Sequence, residues 1–553
     1  MASALPLLQR TEYRFIFFGA LALILLTSLP LLIGVARLPP GQSFIGFGPA
    51  IRTDNAIYLS YVEQAKAEGA VFFRNAFNPA TSRQAFFEPL WAVVGFAAGV
   101  FHLPPVLAFH VARALAIFPL AFALYFFVAT ISENRPTRAI AFLLGLFGSG
   151  IGLYLVPFAE HLPRFFSHGQ YAYPLPIDVI LPQATTFQVA AHSPLFVLSL
   201  TLILLIFALL ILDERKLGSI PLHIFAGLMF ILALLHPYDA PLILACAGVL
   251  AVVRAVRERG YRGAYVRRAV QRLAAMSGVA FVALLYFAAV YFIDSGMAGW
   301  AQQNVTPSPP FVALLLTFGI LLGVAVTAGI VHWRKWQSEY ALLIIWPVVA
   351  LVLAYAPLQI QVRFLSGFTI ILAVLAAFLL APFWERFRVQ IMRLRWLGLF
   401  GMLTAGIILF APTTLLNTAE PFIGGQSRWS FRLPYQYPSP TLQAMDWLRD
   451  RPAGLTLSSD FTSFVLTSRT LRSTFLSDGS QTPQYAEKLA ELGAVFTRTW
   501  EPAAVTDFLH RHAIRYVFWT AREEKFFDGF TPDKLPNCTV QYTTATARVY
   551  QCT

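Results

Sequence analysis

Residues 15–35 read FIFFGALALILLTSLPLLIGV, a run of 21 residues without a charge. An α-helix needs about 20 apolar residues to cross the hydrocarbon core of a bilayer. Similar runs recur along most of the 553 residues, of which 57% are hydrophobic and 12% charged. Water-soluble domains carry about twice that charge density. No small-residue cleavage site follows the first run, so the sequence predicts a polytopic membrane protein whose first span is retained.

Eleven spans follow from the apolar runs and the residues that break them. They are predicted at 15–36, 106–130, 139–157, 193–212, 219–236, 240–256, 273–293, 311–331, 340–357, 364–383 and 396–412. The run Pro89–Phe101 has only 13 residues and is followed by Pro104-Pro105. It therefore predicts a short helix on the membrane surface, or a re-entrant one, and not a crossing.

The basic residues assign the sides of the membrane. Clusters such as Arg135 with Arg138, and the block Arg254–Arg272, fall in every second loop of this arrangement. Since cytoplasmic loops are enriched in Lys and Arg, the amino terminus is predicted inside, and the loop 37–105 outside. The same rule explains the net charge of +13 without a nucleic-acid partner. The expected location is a bacterial inner membrane.

The polar tail predicts a second domain. The fold class is mainly α, a helical transmembrane bundle at 1–412 followed by a small extracytoplasmic α/β domain at 413–553. Within that domain the sequence predicts helices at 442–448 and 483–492, a buried strand at 514–520 and a hairpin at 538–552. Cys538 and Cys552 would meet there in an oxidising compartment, either as a disulfide or as two small apolar residues.

Two carboxylates in the first outer loop are the leading candidates for chemistry. Asp54 lies in RTDNAIY (52–58) and Glu88 in FFEPL (86–90). A carboxylate is costly to desolvate at a membrane surface, so such a pair suggests function. The alternatives are an N-cap at Asp54 for a helix beginning at Asn55, and a solvated acid at Glu88 before a surface helix.

Three further polar residues are candidates for binding a phosphate. His236 and Asp239 occupy the tight turn HPYD between two predicted spans, where they would bind a phosphate or only punctuate helices. Arg363 is a cation on the outer side, against the positive-inside rule, and would pair with lipid phosphate or reach the headgroups.

The order of these parts resembles membrane glycosyltransferases of the C-type fold, such as the lipid A aminoarabinose transferases and the protein O-mannosyltransferases. Asp54 followed by Tyr58, the Glu88-Pro89 pair, and Arg363 beside Phe364 carry the resemblance. It implies transfer of a sugar from a polyprenyl-phosphate donor to a glycan, lipid or protein acceptor, with Asp54 as general base and Glu88 as a second catalytic residue.

Substrate contacts and a metal are also expected. Tyr58, His192 and Tyr171 are candidates for binding the substrate, Tyr171 because it lies in an aromatic outer loop. Glu88 and His236 are candidate ligands for Mg²⁺ or Mn²⁺. One rival interpretation is a transporter or flippase of a lipid-linked sugar. It predicts ionisable residues in mid-span, whereas the charges are expected at span ends. The other is a non-catalytic assembly protein.

Overall fold

The computed structural model describes residues 8–46, 52–77, 83–159, 167–168, 171–172, 175–216, 218–257, 262–332, 341–393, 395–423, 436–477, 479, 481–496, 501–527, 529–530, 532–535 and 537–553. The helices up to the last apolar run are α1 (Arg10–Ala36), α2 (Arg52–Glu68), α3 (Pro89–Val100), α4 (Pro105–Ile131), α5 (Arg135–Phe147), α6 (Gly152–Ala159), α7 (Ile177–Ile180), α8 (Thr186–His192), α9 (Pro194–Arg215), α10 (Leu222–Leu235), α11 (Ala240–Arg257), α12 (Arg262–Ile293), α13 (Ser295–Gln303), α14 (Phe311–Val331), α15 (Leu342–Ala354), α16 (Phe368–Arg393), α17 (Arg395–Phe410) and α18 (Pro412–Ile423).

The tail adds helices α19 (Ser439–Arg449), α20 (Asp460–Thr470), α21 (Tyr485–Val495), α22 (Pro502–Arg511) and α23 (Ala521–Phe526). The strands are β1 (Gln42–Phe44), β2 (Phe72–Phe73), β3 (Phe86–Phe87), β4 (Ser167–His168), β5 (Tyr171–Ala172), β6 (Gln436–Pro438), β7 (Leu455–Leu457), β8 (Ile514–Trp519), β9 (Cys538–Thr543) and β10 (Arg548–Cys552). The mainly α fold with a small carboxy-terminal α/β region is confirmed.

Eight helices in the described part of the chain are long and apolar enough to cross a membrane. They are Arg10–Ala36, Pro105–Ile131, Arg135–Phe158, Pro194–Arg215, Pro237–Val256, Gly263–Ile293, Phe311–Val331 and Gln361–Arg388. The last predicted span is a helix pair, Phe400–Phe410 and Pro412–Ala419, bent by 91°. The remaining two predicted spans are short apolar helices, Leu222–Leu235 and Leu342–Ala354. Length alone therefore supports eight or nine of the eleven crossings.

The short helix α3 forms where the sequence predicts it. Proline at its first position has the backbone angle that a helix start needs, and Glu88 occupies the extended N-cap position before it. The helix ends at Phe101, where His102 adopts a positive φ of 53° and Pro104 follows. Its position on the membrane surface stays a prediction.

Contacts divide the chain into two compact units, and the division falls within α1, α4 and α12. Unit 1 contains Met1–Leu32, His110–Leu285 and Val305–Ser430. Its buried core is formed by α16, which packs against α5 and α14. Nearly every residue at 368–377 is apolar and buried, as expected of a helix inside a bundle.

Unit 2 contains Ile33–Phe109, Tyr286–Asn304 and Phe431–Thr553. Strand β1 of the first loop pairs antiparallel with β6 of the tail, which joins distant parts of the sequence. The tail forms a four-stranded sheet in the order β7-β8-β10-β9, in which only β7 and β8 are parallel. The predicted helices, buried strand and hairpin of the tail are all present. The domain boundary predicted at 412/413 divides the chain by compartment and stays a prediction.

The last hairpin is closed by a disulfide. Cys538 and Cys552 pair across β9 and β10 and their sulfurs are bonded, so the first of the two alternatives for these residues is the correct one. Cys246 is buried and unbonded.

Candidate functional site

The two candidate carboxylates lie at the same end of a pair of packed helices in unit 2. The rings of Tyr58 on α2 and Trp91 on α3 stack with centroids 4.6 Å apart. One turn further along α3, a Cβ atom built on Gly95 would lie 2.3 Å from Cβ of Ala65 and 2.7 Å from the carbonyl oxygen of Val62. The contacts advance in the same direction along both helices, so α2 and α3 run parallel.

This register brings the starts of the two helices together. Asp54 is in the first turn of α2 and Glu88 is the N-cap residue of α3. Both acids therefore sit near the amino-terminal ends of parallel helices, where the helix dipoles favour negative charge. Because α2 includes Arg52, Asp54 is not the N-cap of a helix beginning at Asn55, and that alternative is wrong.

Glu88 is buried and not solvated, so its alternative interpretation is also wrong. Glu88 is 4% exposed, and its Oε1 has no hydrogen-bond partner among the described residues. Burial raises the pKa of the Glu88 carboxyl well above its ordinary value of 4.5. Burial therefore favours the uncharged carboxylic acid over the carboxylate, and the uncharged acid can donate a hydrogen bond.

Two further buried polar atoms accompany Glu88 at this end of the helix pair. Asn55 Oδ1 and Trp91 Nε1 have no hydrogen-bond partner within the described chain, and their residues are 2% and 0% exposed. Asn55 lies one helical turn before Tyr58, and Trp91 lies one turn after Glu88, so they belong to the facing sides of α2 and α3. Buried polar groups are nearly always paired, so such a group of atoms indicates a place where a ligand would complete the bonding.

The loop before α3 is held by residues 286–304. The backbone N–H of Phe87 donates to the Tyr286 hydroxyl, which donates to the carbonyl of Ala85 at 2.8 Å. The backbone N–H of Arg83 donates to Asp294, 2.8 Å away, which also caps α13. Glu88 is therefore fixed in place by an element that is nearly 200 residues distant in the sequence.

The candidate phosphate-binding residues lie in unit 1 and form a second cluster. Nδ1 of His236 lies 2.8 Å from Oδ2 of Asp239, and the hydroxyl of Ser199 donates to the same oxygen. His236 Nε2 and Asp239 Oδ1 have no hydrogen-bond partner among the described residues, although both residues are almost completely buried. The contact with Asp239 holds the imidazole ring of His236 in one orientation and leaves Nε2 as the ring nitrogen without a described partner.

Arg363 adjoins this cluster. Its guanidinium lies over the ring of Tyr238, 4.4 Å from the centroid. Arg363 is in the 3₁₀ turn Gln361–Leu365, while Pro237–Asp239 forms another, and the two turns are in contact. A planar cation on an aromatic face keeps its outer N–H groups directed away from the ring, as phosphate recognition requires.

The other predicted substrate residues have separate outcomes. His192 is the last residue of α8 and is buried, with its ring 4.9 Å from that of Phe196, which in turn contacts His236. Tyr58 is a packing partner of Trp91. The side chain of Tyr171 lies outside the described residues. Asp54 and Glu88 belong to unit 2, whereas His192, His236, Asp239 and Arg363 belong to unit 1, and their convergence on one pocket stays a prediction.

The side chains present do not form a metal site by themselves. Among the described residues, no three His, Cys, Asp or Glu side chains come together. The uncharged form favoured at Glu88 is also a poor ligand for Mg²⁺ or Mn²⁺. The expected divalent cation therefore stays a prediction.

Sequence reasoning missed two buried ionisable residues in unit 1. The expectation that charges occur only at span ends is wrong for Arg113, which is in the third turn of α4 and 1% exposed. Its guanidinium donates to the Thr27 and Ser28 hydroxyls at 3.0 Å each and to the carbonyl of Ala190 at 2.7 Å. Its Nε also donates to Nδ1 of His110 at 3.4 Å. The sequence carried this signal as a lone charge in an apolar run.

Asp178 is the second missed residue. It is completely buried on α7, where it accepts hydrogen bonds from the Thr413 hydroxyl at 2.6 Å and from the Gly152 N–H at 3.1 Å. Burial raises the pKa of Asp178 to about 6. A Cβ atom on Gly152 would lie 2.1 Å from Asp178 Oδ1, so the glycine is needed for this contact. Asp178 is one of two acids in the loop 157–194, and no local pattern in the sequence indicates that it is buried.

The helical bundle, the loop 37–105 with its paired helices, and the carboxy-terminal domain together resemble the C-type fold of known membrane glycosyltransferases. The archaeal oligosaccharyltransferase AglB from Archaeoglobus fulgidus, solved with an inhibitory peptide and a dolichol-phosphate, is similar with a TM-score of 0.52 and 13% identity over 91% of this chain and 70% of that one. The same enzyme in complex with Zn and sulfate gives a TM-score of 0.52 and 13% identity over 97% and 72% of the two chains.

The mycobacterial arabinofuranosyltransferase AftD is similar with a TM-score of 0.53 and 14% identity over 98% of this chain but 42% of its own. Neither a protein-family model nor a curated protein sequence matches the chain. At these identities the likeness shows the fold, which confirms the C-type architecture predicted from the sequence.

Proposed function

We propose that the protein is an integral-membrane glycosyltransferase that transfers a hexosyl or pentosyl group from a polyprenyl-phosphate donor to an acceptor hydroxyl on the outer face of the membrane. The parallel pairing of α2 and α3 carries this proposal, because it puts Asp54 and a buried, uncharged Glu88 at one end of two helices. Two carboxyl groups with different environments are suited to different proton-transfer roles.

Asp54 is assigned the role of general base. The acceptor hydroxyl attacks the anomeric carbon and gives its proton to the Asp54 carboxylate, while the bond from that carbon to the phosphate oxygen breaks. The products are the glycoside and the polyprenyl phosphate. Glu88, as an uncharged acid, would donate a hydrogen bond that orients the acceptor and would thereby restrict its approach.

Arg363, His236 and Asp239 are assigned to the donor phosphate. The Asp239 carboxylate at Nδ1 holds the imidazole ring of His236 in place, so Nε2 is the ring atom assigned to a phosphate oxygen. Arg363 supplies a planar guanidinium that can form two parallel hydrogen bonds to phosphate oxygens. The dolichol-phosphate complex of the similar archaeal oligosaccharyltransferase supports a lipid-linked donor for this protein.

The experiment measures release of polyprenyl phosphate, a product that is common to all donor sugars. Purified protein in lipid nanodiscs is incubated with a panel of polyprenyl-phosphate sugars and candidate acceptors, and the lipid product is quantified by mass spectrometry. Asp54→Asn should lower the rate by about 10²–10⁴-fold, the usual contribution of a general base. The matched control is Glu68→Gln at the far end of α2, where the carboxylate is ion-paired with Arg74 on the half-exposed surface.

Full activity of the Asp54→Asn variant would remove the general-base assignment. Absence of lipid phosphate release by the native protein with every donor, together with movement of labelled donor between leaflets, would favour a flippase. Arg113 makes that rival worth testing, because it is an ionisable residue within a span.

A further inference from the structure

The carboxy-terminal domain contains a cleft that the proposed chemistry does not use. Its volume is about 710 Å³, within the usual range for ligand sites. It is lined by the end of β8 and the start of α23, by β6, and by the turn that joins β9 to β10. Because β8 is parallel to β7, the cleft lies beyond the carboxyl end of a parallel strand pair, the edge at which α/β sheets bind ligands.

The loop that follows β8 is held in place by hydrogen bonds to a buried acid. Glu523 is completely buried and accepts hydrogen bonds from the backbone N–H groups of Ser459 at 3.1 Å and Thr520 at 3.0 Å. The hydroxyl groups of the same two residues also donate to it. Glu523 is thus saturated with hydrogen bonds, and it fixes the wall of the cleft without taking part in ligand binding.

The opposite wall is also fixed. In the turn from β9 to β10, the N–H of Thr544 donates to the carbonyl of Ala547 at 2.8 Å, and the N–H of Ala547 donates to the Thr544 hydroxyl at 3.0 Å. The hydroxyl groups of Thr441 on α19 and Thr546 in the turn lie 2.7 Å apart. The hydrogen bonds within the turn and to α19 hold this part of the cleft in place before a ligand binds.

The chemistry of the lining selects the ligand. Among the described residues that line the cleft, Arg522 and Arg548 are offset by Glu524 and Asp533, and Arg548 is already paired with Asp533 at 2.8 Å. The lining also includes the hydroxyl groups of Thr441, Thr520, Thr543, Thr544 and Thr546, and all of these except Thr543 already take part in hydrogen bonds within the domain. A wall whose described charges balance and that carries hydroxyl groups matches a neutral polyhydroxyl ligand better than a polyanion or a polyamine.

A protein partner fits the lining less well. The two aromatic residues of the cleft, Trp519 and Tyr437, are only 6% and 5% exposed, so their faces are used within the domain. Protein interfaces depend on exposed aromatic and apolar anchors, and none is offered by the described residues that line this cleft. The small apolar surfaces present, such as Ala545 and Pro438, suit the C–H faces of sugar rings.

We propose that this cleft binds a neutral glycan chain. This part of the inference rests on the proposed function, in which the bound glycan is the acceptor. The carboxy-terminal domain would hold the glycan at a distance from the hydroxyl that reacts.

The test uses the full chain in nanodiscs and saturation-transfer NMR. The probes are four neutral tetrasaccharides (mannotetraose, maltotetraose, arabinotetraose and chitotetraose), with glycerol phosphate as an anion and spermidine as a cation. Ala545→Trp places an indole at an exposed position of the turn, and Thr539→Trp places one at an exposed position of β9 outside the cleft. Thermal unfolding checks that both variants are folded.

At least one tetrasaccharide should bind saturably to the native chain and to the Thr539→Trp and Asp54→Asn variants. Ala545→Trp should weaken that binding by about tenfold or more, or about 1.4 kcal/mol. Equal binding by Ala545→Trp, no binding of any tetrasaccharide, or a preference for glycerol phosphate or spermidine would each overturn the proposal. Since Asp54→Asn tests the chemistry separately, loss of the glycosyltransferase assignment would leave the glycan result standing.

Discussion

At the scale of single residues, the burial of Glu88 makes a prediction about stability and pH. Below its ordinary pKa of 4.5 the residue is protonated in both the folded and the unfolded chain. As pH rises above that value the unfolded chain releases the proton while the folded chain keeps it, so folding stability falls toward the raised pKa. Glu88→Gln cannot ionise, so its unfolding temperature relative to that of the native protein should rise as the pH is increased above the ordinary pKa of 4.5.

Differential scanning fluorimetry in detergent measures this difference. Glu524→Gln, at an exposed carboxyl of the same unit, is the control and should show no such trend. A difference between Glu88→Gln and the native protein that does not change with pH would mean that Glu88 is ionised in the folded chain.

The stacked arginine gives a second prediction at this scale. Arg363→Lys keeps the charge but loses the planar group that lies on Tyr238 and the paired N–H donors that suit a phosphate. We expect the KM for the polyprenyl-phosphate donor to rise by about tenfold, the effect of about 1.4 kcal/mol, with a smaller change in kcat.

Arg386→Lys is the matched control, because Arg386 also lies over an aromatic ring, that of Phe387, but near the other end of α16. Initial rates over a range of donor concentrations separate KM from kcat. An equal effect of both variants would show that general destabilisation is the cause.

At the scale of elements, the close approach of α3 to α2 at Gly95 is the contact that fixes the two carboxylates. Gly95→Ala would force its methyl group against Ala65, so the helices must separate, with an expected cost of about 1–3 kcal/mol in unfolding free energy and a loss of transfer activity. Gly99→Ala, one turn further along, is the control, because its nearest neighbour would be 3.9 Å away. Equal unfolding temperatures for the two variants would contradict the observed packing.

The comparison of sequence with structure is also clearest for elements. Helices were predictable wherever apolar runs were long or ended at proline, as at α1, α3 and α9, because local composition decides those elements. The buried strand at 514–519 and the last hairpin were predictable for the same reason. Asp54 and Glu88 could be chosen as residues, but not their adjacency, because it depends on the register of Trp91 against Tyr58. The partners of Arg113 and Asp178 are equally non-local, so no local pattern contains them.

At the scale of the whole molecule, the chain segments that make up unit 2 restrict how many times the chain between them can cross the membrane. Its segments Ile33–Phe109 and Tyr286–Asn304 pack together, so they must share one side of the membrane. An even number of crossings must therefore separate Phe109 from Tyr286. Among the described residues of this stretch there are five long apolar helices, at Pro105–Ile131, Arg135–Phe158, Pro194–Arg215, Pro237–Val256 and Gly263–Ile293. We infer that Leu222–Leu235 is the sixth crossing, although its 14 residues extend about 21 Å against a hydrocarbon core of about 30 Å.

Reporter fusions test this parity. Green fluorescent protein fluoresces only on the inner side and alkaline phosphatase is active only outside, so both are fused in turn after Lys216, Arg257 and Asn304. With six crossings, Lys216 and Arg257 are inside and Asn304 is outside, which also leaves the basic block Arg254–Arg272 on the side that the positive-inside rule requires. With five, the results at Arg257 and Asn304 are exchanged while Lys216, the internal control, is unchanged. Phosphatase activity at Arg257 would therefore remove Leu222–Leu235 as a span, and with it the outer position of the His236–Asp239 turn on which the phosphate assignment depends.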